Sequence, residues 1–175
     1  MRRSARFLPW LLSLLLLPMA SRAENDGLPE YRLKAAFLYN FARFTEWPSE
    51  VGNTLNLCIY GSDPFGAEID GLEGKPVRER RIAVHRPTRI ESLKDCQVVF
   101  IAGSAASSLP QVIASLHGAV VLTVADSPGA VDQGAALNMS VVMGRTTFEV
   151  NLEAARSAKL VLSSKLLGLA TRVLQ

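Results

Sequence analysis

The chain has 175 residues, 49% of them hydrophobic and 20% charged, with two cysteines and a formal charge of +3. One domain fits that length, and no internal repeat or low-complexity tract is present. The positive balance suggests a nucleic-acid partner only until the first residues are read.

Met1 to Ala23 opens with Arg2, Arg3 and Arg6, runs on as a leucine-rich apolar stretch from Phe7 to Leu17, and ends Ser21-Arg22-Ala23. A basic start, a short apolar run and small residues at the −3 and −1 positions are the layout of a secretory signal peptide, and the run is too short to span a bilayer. The expected mature chain is residues 24–175, one domain of 152 residues, large enough to bury about 68–70% of its unfolded surface. Without Arg2, Arg3, Arg6 and Arg22 the 19 Lys+Arg fall to 15 against 16 Asp+Glu, a balance of −1. The nucleic-acid reading drops out. With no second long apolar run, no membrane insertion is expected after cleavage.

Glu24 to Pro29 reads as a polar leader. Tyr31 to Pro48 reads as one long amphipathic helix in which Leu33, Phe37, Phe41, Phe44 and Trp47 recur at helical steps, leaving Arg32, Lys34, Asn40 and Arg43 for water. Pro48 marks the stop. Leu55 to Tyr60 is the first strand, followed by Gly61-Ser62-Asp63-Pro64, where Asp63 suits an N-cap and Pro64 a first helical position. Ile82-Ala83-Val84 forms a second strand, Cys96 to Ala102 a third and Ala119 to Val124 a fourth, with a helix from Ser107 to Leu116 between the last two.

Ala135 to Val142 and Arg145 to Val150 are extended runs joined at Met143-Gly144, a hairpin signal. Asn151 can cap a helix of Leu152 to Ala158, and a last helix starts at Ser163 and carries Leu166, Leu167, Ala170 and Val173. The pattern predicts one α/β domain: a mainly parallel central sheet flanked by helices, with an antiparallel C-terminal hairpin at one edge.

The residues offer little for catalysis. His85 and His117 stand apart from any metal-ligand spacing, and Gly103-Ser104 with Ser107 and Ser108 lacks the Gly-x-Ser-x-Gly spacing of a nucleophile elbow. No metal, cofactor or enzymatic activity is expected. Gly61, Ser62, Gly103 and Ser104 follow strands and precede helices, so they could line a strand-end crevice for an anion, although Asp63 would oppose one. Arg78, Arg80, Arg81, Arg86 and Arg89 read as a solvated, partly paired cluster. Cys58 and Cys96 leave two possibilities open, a disulfide or two buried thiols.

Lys34-Ala35-Ala36-Phe37-Leu38-Tyr39-Asn40-Phe41 with Phe44 and Glu46-Trp47-Pro48 resembles the opening signature of the YfiR family of periplasmic regulators. Gly61-Ser62-Asp63-Pro64-Phe65-Gly66 resembles its first strand–helix junction. Phe148-Glu149-Val150-Asn151-Leu152 with Ala154-Ala155-Arg156, then Leu162-Ser163-Ser164-Lys165-Leu166-Leu167 with Leu169-Ala170, resembles its C-terminal signature. The resemblance implies a periplasmic repressor, a homodimer, that binds the periplasmic domain of an inner-membrane diguanylate cyclase (YfiN-like) and so lowers cyclic di-GMP and biofilm formation.

It also implies that Cys58 and Cys96 are one of two redox-active pairs; the second, expected near the hairpin, is absent here. The expected partner surface is the hairpin with the first residue of the next helix: Leu137, Met139, Val141, Phe148, Glu149 and Leu152. The alternative is a periplasmic small-molecule or nucleotide sensor that uses the crevice.

Overall fold

A computed structural model describes residues 27–175, and the expected signal peptide lies outside them. Helix α1 spans Gly27–Arg43 and is followed by the two-residue strand β1, Thr45–Glu46. The last three residues of the expected leader are thus helical. The helix stops five residues before Pro48 because two later side chains take its last carbonyls. Thr45 Oγ1 donates to the Phe41 carbonyl at 2.7 Å, and buried Trp47 donates its indole N–H to the Ala42 carbonyl at 3.0 Å.

The inward face of α1 also differs from the expected stripe. Lys34, Ala35, Leu38, Phe41 and Ala42 are buried, Phe37 is half-buried and Leu33 is exposed. Phe44 and Trp47 lie beyond the helix, so the periodic reading that included them set the phase about one residue off. Alanines explain this: Ala35 and Ala42 let the helix approach the sheet closely, and the bulky Phe37 sits at the margin.

The strands are β2 (Thr54–Tyr60), β3 (Pro76–Val77), β4 (Arg80–His85), β5 (Val98–Ile101), β6 (Leu122–Ala125), β7 (Leu137–Val142), β8 (Arg145–Asn151), β9 (Val161–Leu162) and β10 (Arg172–Leu174). Eight form one sheet in the order β10-β8-β7-β6-β5-β2-β4-β3, while β1 pairs with β9 apart from it. The run β4-β2-β5-β6-β7 is all parallel, and β7 and β8 form the antiparallel hairpin towards the C-terminal end of the sheet. The α/β fold with a mostly parallel sheet is as the sequence predicts. β10 is not anticipated: the last helix, α5 (Ser164–Leu167), ends at Gly168, and Val173 lies in a strand that pairs in parallel with Glu149 to Asn151 of β8.

The sheet has two apolar faces. On one, α1 packs with Leu55, Leu57, Phe100, Val124, Leu137, Met139 and Phe148, and Phe37, Phe41 and Phe148 form a ring cluster with centroids 5.1 to 5.8 Å apart. Such aromatic pairs add roughly 0.5–1.5 kcal/mol each beyond area burial. On the other, helix α3 (Leu109–Ser115) covers Val99, Ile101 and Ala125 through Leu109 and Val112. Helix α4 (Leu152–Ser157) starts where Asn151 Oδ1 accepts from the Ala154 N–H at 2.9 Å, the expected cap.

Candidate functional site

The loops that follow β2 and β5 touch. Ser62 donates its backbone N–H to Ser104 Oγ at 2.9 Å, so Gly61, Ser62, Gly103 and Ser104 are neighbours. Gly61 has φ +100°, and a Cβ there would lie 2.8 Å from Ser104 Oγ and 3.0 Å from Ala105 Cβ; both conformation and space demand glycine. Strand β2 lies between β4 and β5, so the chain leaves it in both directions, and these loops sit at the resulting switch point.

Asp63 does not start a helix here. Its Oδ1 accepts from the N–H groups of Phe65 and Gly66, helix α2 begins only at Ala67 (Ala67–Asp70), and its other oxygen lies 2.8 Å from Arg86.

Beside these loops lies a charge cluster that sequence reading did not find. Lys34, expected to face water, is 4% exposed; its ammonium pairs with Glu30 at 2.5 Å and with Asp126 Oδ2 at 3.2 Å. Tyr31 donates to the same Oδ2 at 3.0 Å, and the Lys34 ammonium stands 4.6 Å from the centre of its ring. The Asp126 side chain is 2% exposed, and its Oδ1 has no hydrogen-bond partner among the described residues. The available signals were Glu30 and Lys34 four apart, and an aspartate directly after the buried strand β6.

Burial first, and Asp126 second, push the Tyr31 phenol well above its ordinary value near 10. A raised folded-state value means stability that is whole below pH about 10 and is lost as pH rises above it. Tyr31→Phe is therefore expected to flatten the alkaline limb of the unfolding midpoint against pH, and an unchanged limb would remove Tyr31 as its source.

The hairpin separates the expected partner residues into two groups. Leu137 and Met139 are 0% exposed and Phe148 is 2% exposed, because their side of the ladder packs under α1. They cannot reach a partner in the folded protein, and that part of the expected surface is corrected: they are core. Leu152 is half-buried against the same core. Val141 is exposed, as are Val142 and Met143, the last at 90%. Met143 and Gly144 have φ +50° and +74° and form the two-residue turn that closes the Val142–Arg145 pair. Glu149 is partly exposed and lies 3.3 Å from Arg172 of β10.

Cys58 and Cys96 form a disulfide with Cα atoms 6.0 Å apart, which resolves the two possibilities the sequence left open. The arginines are mostly engaged: Arg80 donates to the carbonyls of Pro48, Val51 and Gly52, Arg81 to that of Gly74, and Arg86 holds Asp63 and Asp70, which raises its pKa further. His85 meets Asn56 Oδ1 at 3.1 Å. His117 and Glu153 line a cavity of about 280 Å³ between α3 and α4, and a second of about 370 Å³ adjoins the disulfide. Among the described residues no group of three or more His, Cys, Asp or Glu could hold a metal ion.

The sequence profile of the YfiR/HmsC-like family matches residues 31–171. The chain belongs to that family. YfiR-like proteins are periplasmic regulators of cyclic di-GMP signalling rather than a catalytic family. Among the described residues, no helix is long and apolar enough to cross a membrane. No curated protein matches the sequence.

The fold is similar to a conserved domain protein from Vibrio cholerae, at 9% identity and TM-score 0.54, over 79% of this chain and 59% of that one. It is also similar to an ABC domain from Streptococcus pneumonia solved in complex with L-Trp, at 9% identity and TM-score 0.57, over 82% of this chain and 60% of that one. The chain spans about three fifths of the length of either, and at such identity the likeness concerns the fold alone.

Proposed function

We propose that this YfiR-like protein is exported through a cleaved signal peptide and acts as a homodimer. In this reading it binds the periplasmic domain of an inner-membrane diguanylate cyclase with the tip of the β7–β8 hairpin and holds the cyclase inactive. The observation that carries the reading is Met143. A non-glycine residue at positive φ costs roughly 1–2 kcal/mol, and a methionine 90% exposed recovers nothing by packing inside its own chain. With Val141 and Val142 exposed beside it, the tip presents adaptable apolar surface of the kind that protein partners bury. Glu149 of β8 and Leu152, the first residue of α4, complete the proposed surface. Leu33, Val161 and Leu169, also exposed, are apolar surface on which a dimer would draw.

Met143→Asn separates strain from contact, because asparagine tolerates the left-handed region. Its thermal midpoint is expected to equal or exceed that of the parent, while affinity for the cyclase domain falls about tenfold and cellular cyclic di-GMP rises. Glu149→Lys, which turns the Arg172 pair into a repulsion worth no more than about 1 kcal/mol, is expected to fold and to weaken repression as well. Unchanged cyclic di-GMP in both strains would discard the hairpin as the docking surface. A deletion strain with flat cyclic di-GMP would discard repression itself. A small-molecule sensor is the second reading, favoured by one observation, the unpartnered Oδ1 of Asp126 at the strand ends.

A further inference from the structure

We propose that the strand-end crevice binds a small primary ammonium, with Asp126 Oδ1 as its acceptor and the face of Gly103 as its way in. The inference deepens the sensor reading and rests on the strand ends alone, so its failure leaves the hairpin and repression untouched.

Both protein donors converge on one carboxylate oxygen: Tyr31 and Lys34 reach Oδ2 at 3.0 and 3.2 Å. Oδ1 has no partner among the described residues, on a side chain only 2% exposed. A buried carboxylate oxygen left unpaired is costly, and native structures pair nearly all such groups. The charges around it leave room for a cation. Glu30 and Asp126 carry two negative charges against the one positive charge of Lys34, and the phenol of Tyr31 adds none.

The approach runs over Gly103. Gly103 is exposed, and a Cβ built on it would lie 3.5 Å from Asp126 Oδ1, the nearest described heavy atom outside its own stretch of chain. That unfilled position is where a donor to Oδ1 would come in. Ser104 lies next to it, and its Oγ accepts from the Ser62 N–H, so the hydroxyl proton is free for a second polar group of the ligand.

An ammonium supplies several N–H donors and the missing positive charge together. An anion, the ligand that the helix-facing loops suggested from sequence, would meet the excess negative charge of the cluster. The crevice therefore has the opposite sign to the one expected from Gly61, Ser62, Gly103 and Ser104 alone.

The test is titration of the purified protein, followed by calorimetry and backbone amide shifts, with ethylammonium, tetramethylammonium and propionate as probes. Ethylammonium is expected to bind saturably and to shift the amides of Gly61, Gly103 and Ser104; tetramethylammonium, which has the charge but no N–H, and propionate are expected not to. Asp126→Asn and Gly103→Ala are each expected to weaken ethylammonium binding about tenfold or more. Gly103→Ala leaves the ion cluster whole and its added Cβ in ordinary contact, so its melting temperature is expected to match the parent and it decides the matter if Asp126→Asn fails to fold. No saturable ethylammonium binding, undiminished binding by Gly103→Ala, or equal binding of tetramethylammonium or propionate would overturn the proposal.

Discussion

Lys34→Ala is expected to lower the free energy of unfolding by about 3–5 kcal/mol, read as a drop in the urea midpoint at neutral pH. The side chain is 4% exposed and spans two carboxylates, Glu30 at 2.5 Å and Asp126 at 3.2 Å. Without it, Asp126 keeps one phenolic donor for a charge almost wholly removed from water. Glu30, more than a third exposed, can turn to solvent, so the loss falls on Asp126. The converse experiment is sharper. Replacing the pair together, Lys34→Met with Asp126→Leu, removes both charges and keeps the volume, and such replacements are commonly neutral or stabilising. The double variant is therefore expected to recover most of what the single one loses, a coupling that two independent sites would not show. A loss below about 1 kcal/mol for Lys34→Ala would mean that the cluster is not closed to water in the folded protein.

That cluster also shows where sequence reading stopped. Strands with unbroken apolar runs were legible, because a strand buried on both faces must be apolar on both. Val98 to Ile101 and Leu122 to Ala125 are the instances here, and each lies within or against its expected run. Asn151 was legible as a cap since a side-chain oxygen before an apolar-periodic run has few other uses, and it accepts the Ala154 N–H; Ser163, expected only as the start of the last helix, accepts from the Leu166 N–H in the same way.

The phase of α1 was not legible. Phe37, Phe44 and Trp47 outweigh Ala35 and Ala42 in any count of hydrophobicity, yet close approach to a sheet favours the small residues. Once the phase is off by one residue, Lys34 moves from the surface to the core, and its partner, 92 positions away, is beyond any local pattern.

The hairpin teaches the same lesson in reverse. Alternation along Leu137, Met139 and Val141 placed them correctly on one face, but did not say that the face turns from core to solvent part-way along. Leu137 and Met139 lie under α1 and Val141 lies past its edge. The strand β10 was missed because Arg172–Leu174 is too short to show a period, and its pairing with β8 is set by a connection through Thr171, which donates twice to the Phe148 carbonyl. The crevice loops could be placed together from strand order, whereas the sign of their ligand depends on Asp126, which only the folded chain brings to them.

Removing the disulfide, by Cys58→Ala with Cys96→Ala, is expected to lower stability by about 4 kcal/mol, the loop-closure entropy of a 38-residue separation. The bridge ties β2 to the residue that leads into β5, two strands already paired in parallel through Leu57 and Val98, and the segment it encloses carries α2, β3 and β4. Its effect should fall mainly on the unfolded chain. Two readouts separate that from native-state damage. The urea dependence of unfolding is expected to steepen as the unfolded ensemble expands, and the native amide spectrum around β7 and β8 is expected to stay in place. Against an ordinary domain stability of about 5–15 kcal/mol, the variant remains folded but marginal when warmed.

Both cysteines are 2% exposed, so reductant is expected to act slowly on the native protein and quickly once it opens. Because β6 stands between the bridged strands and the hairpin, and the chain holds no other cysteine, reduction has no covalent route to the tip. If the tip docks on a cyclase domain as proposed, binding measured well below the melting temperature is therefore expected to be equal for the bridged and bridgeless proteins. A bridgeless protein that is fully folded yet has lost binding would show that the disulfide sets the conformation of the tip, while a stability change below about 1 kcal/mol would show that the unfolded chain is already held compact without it.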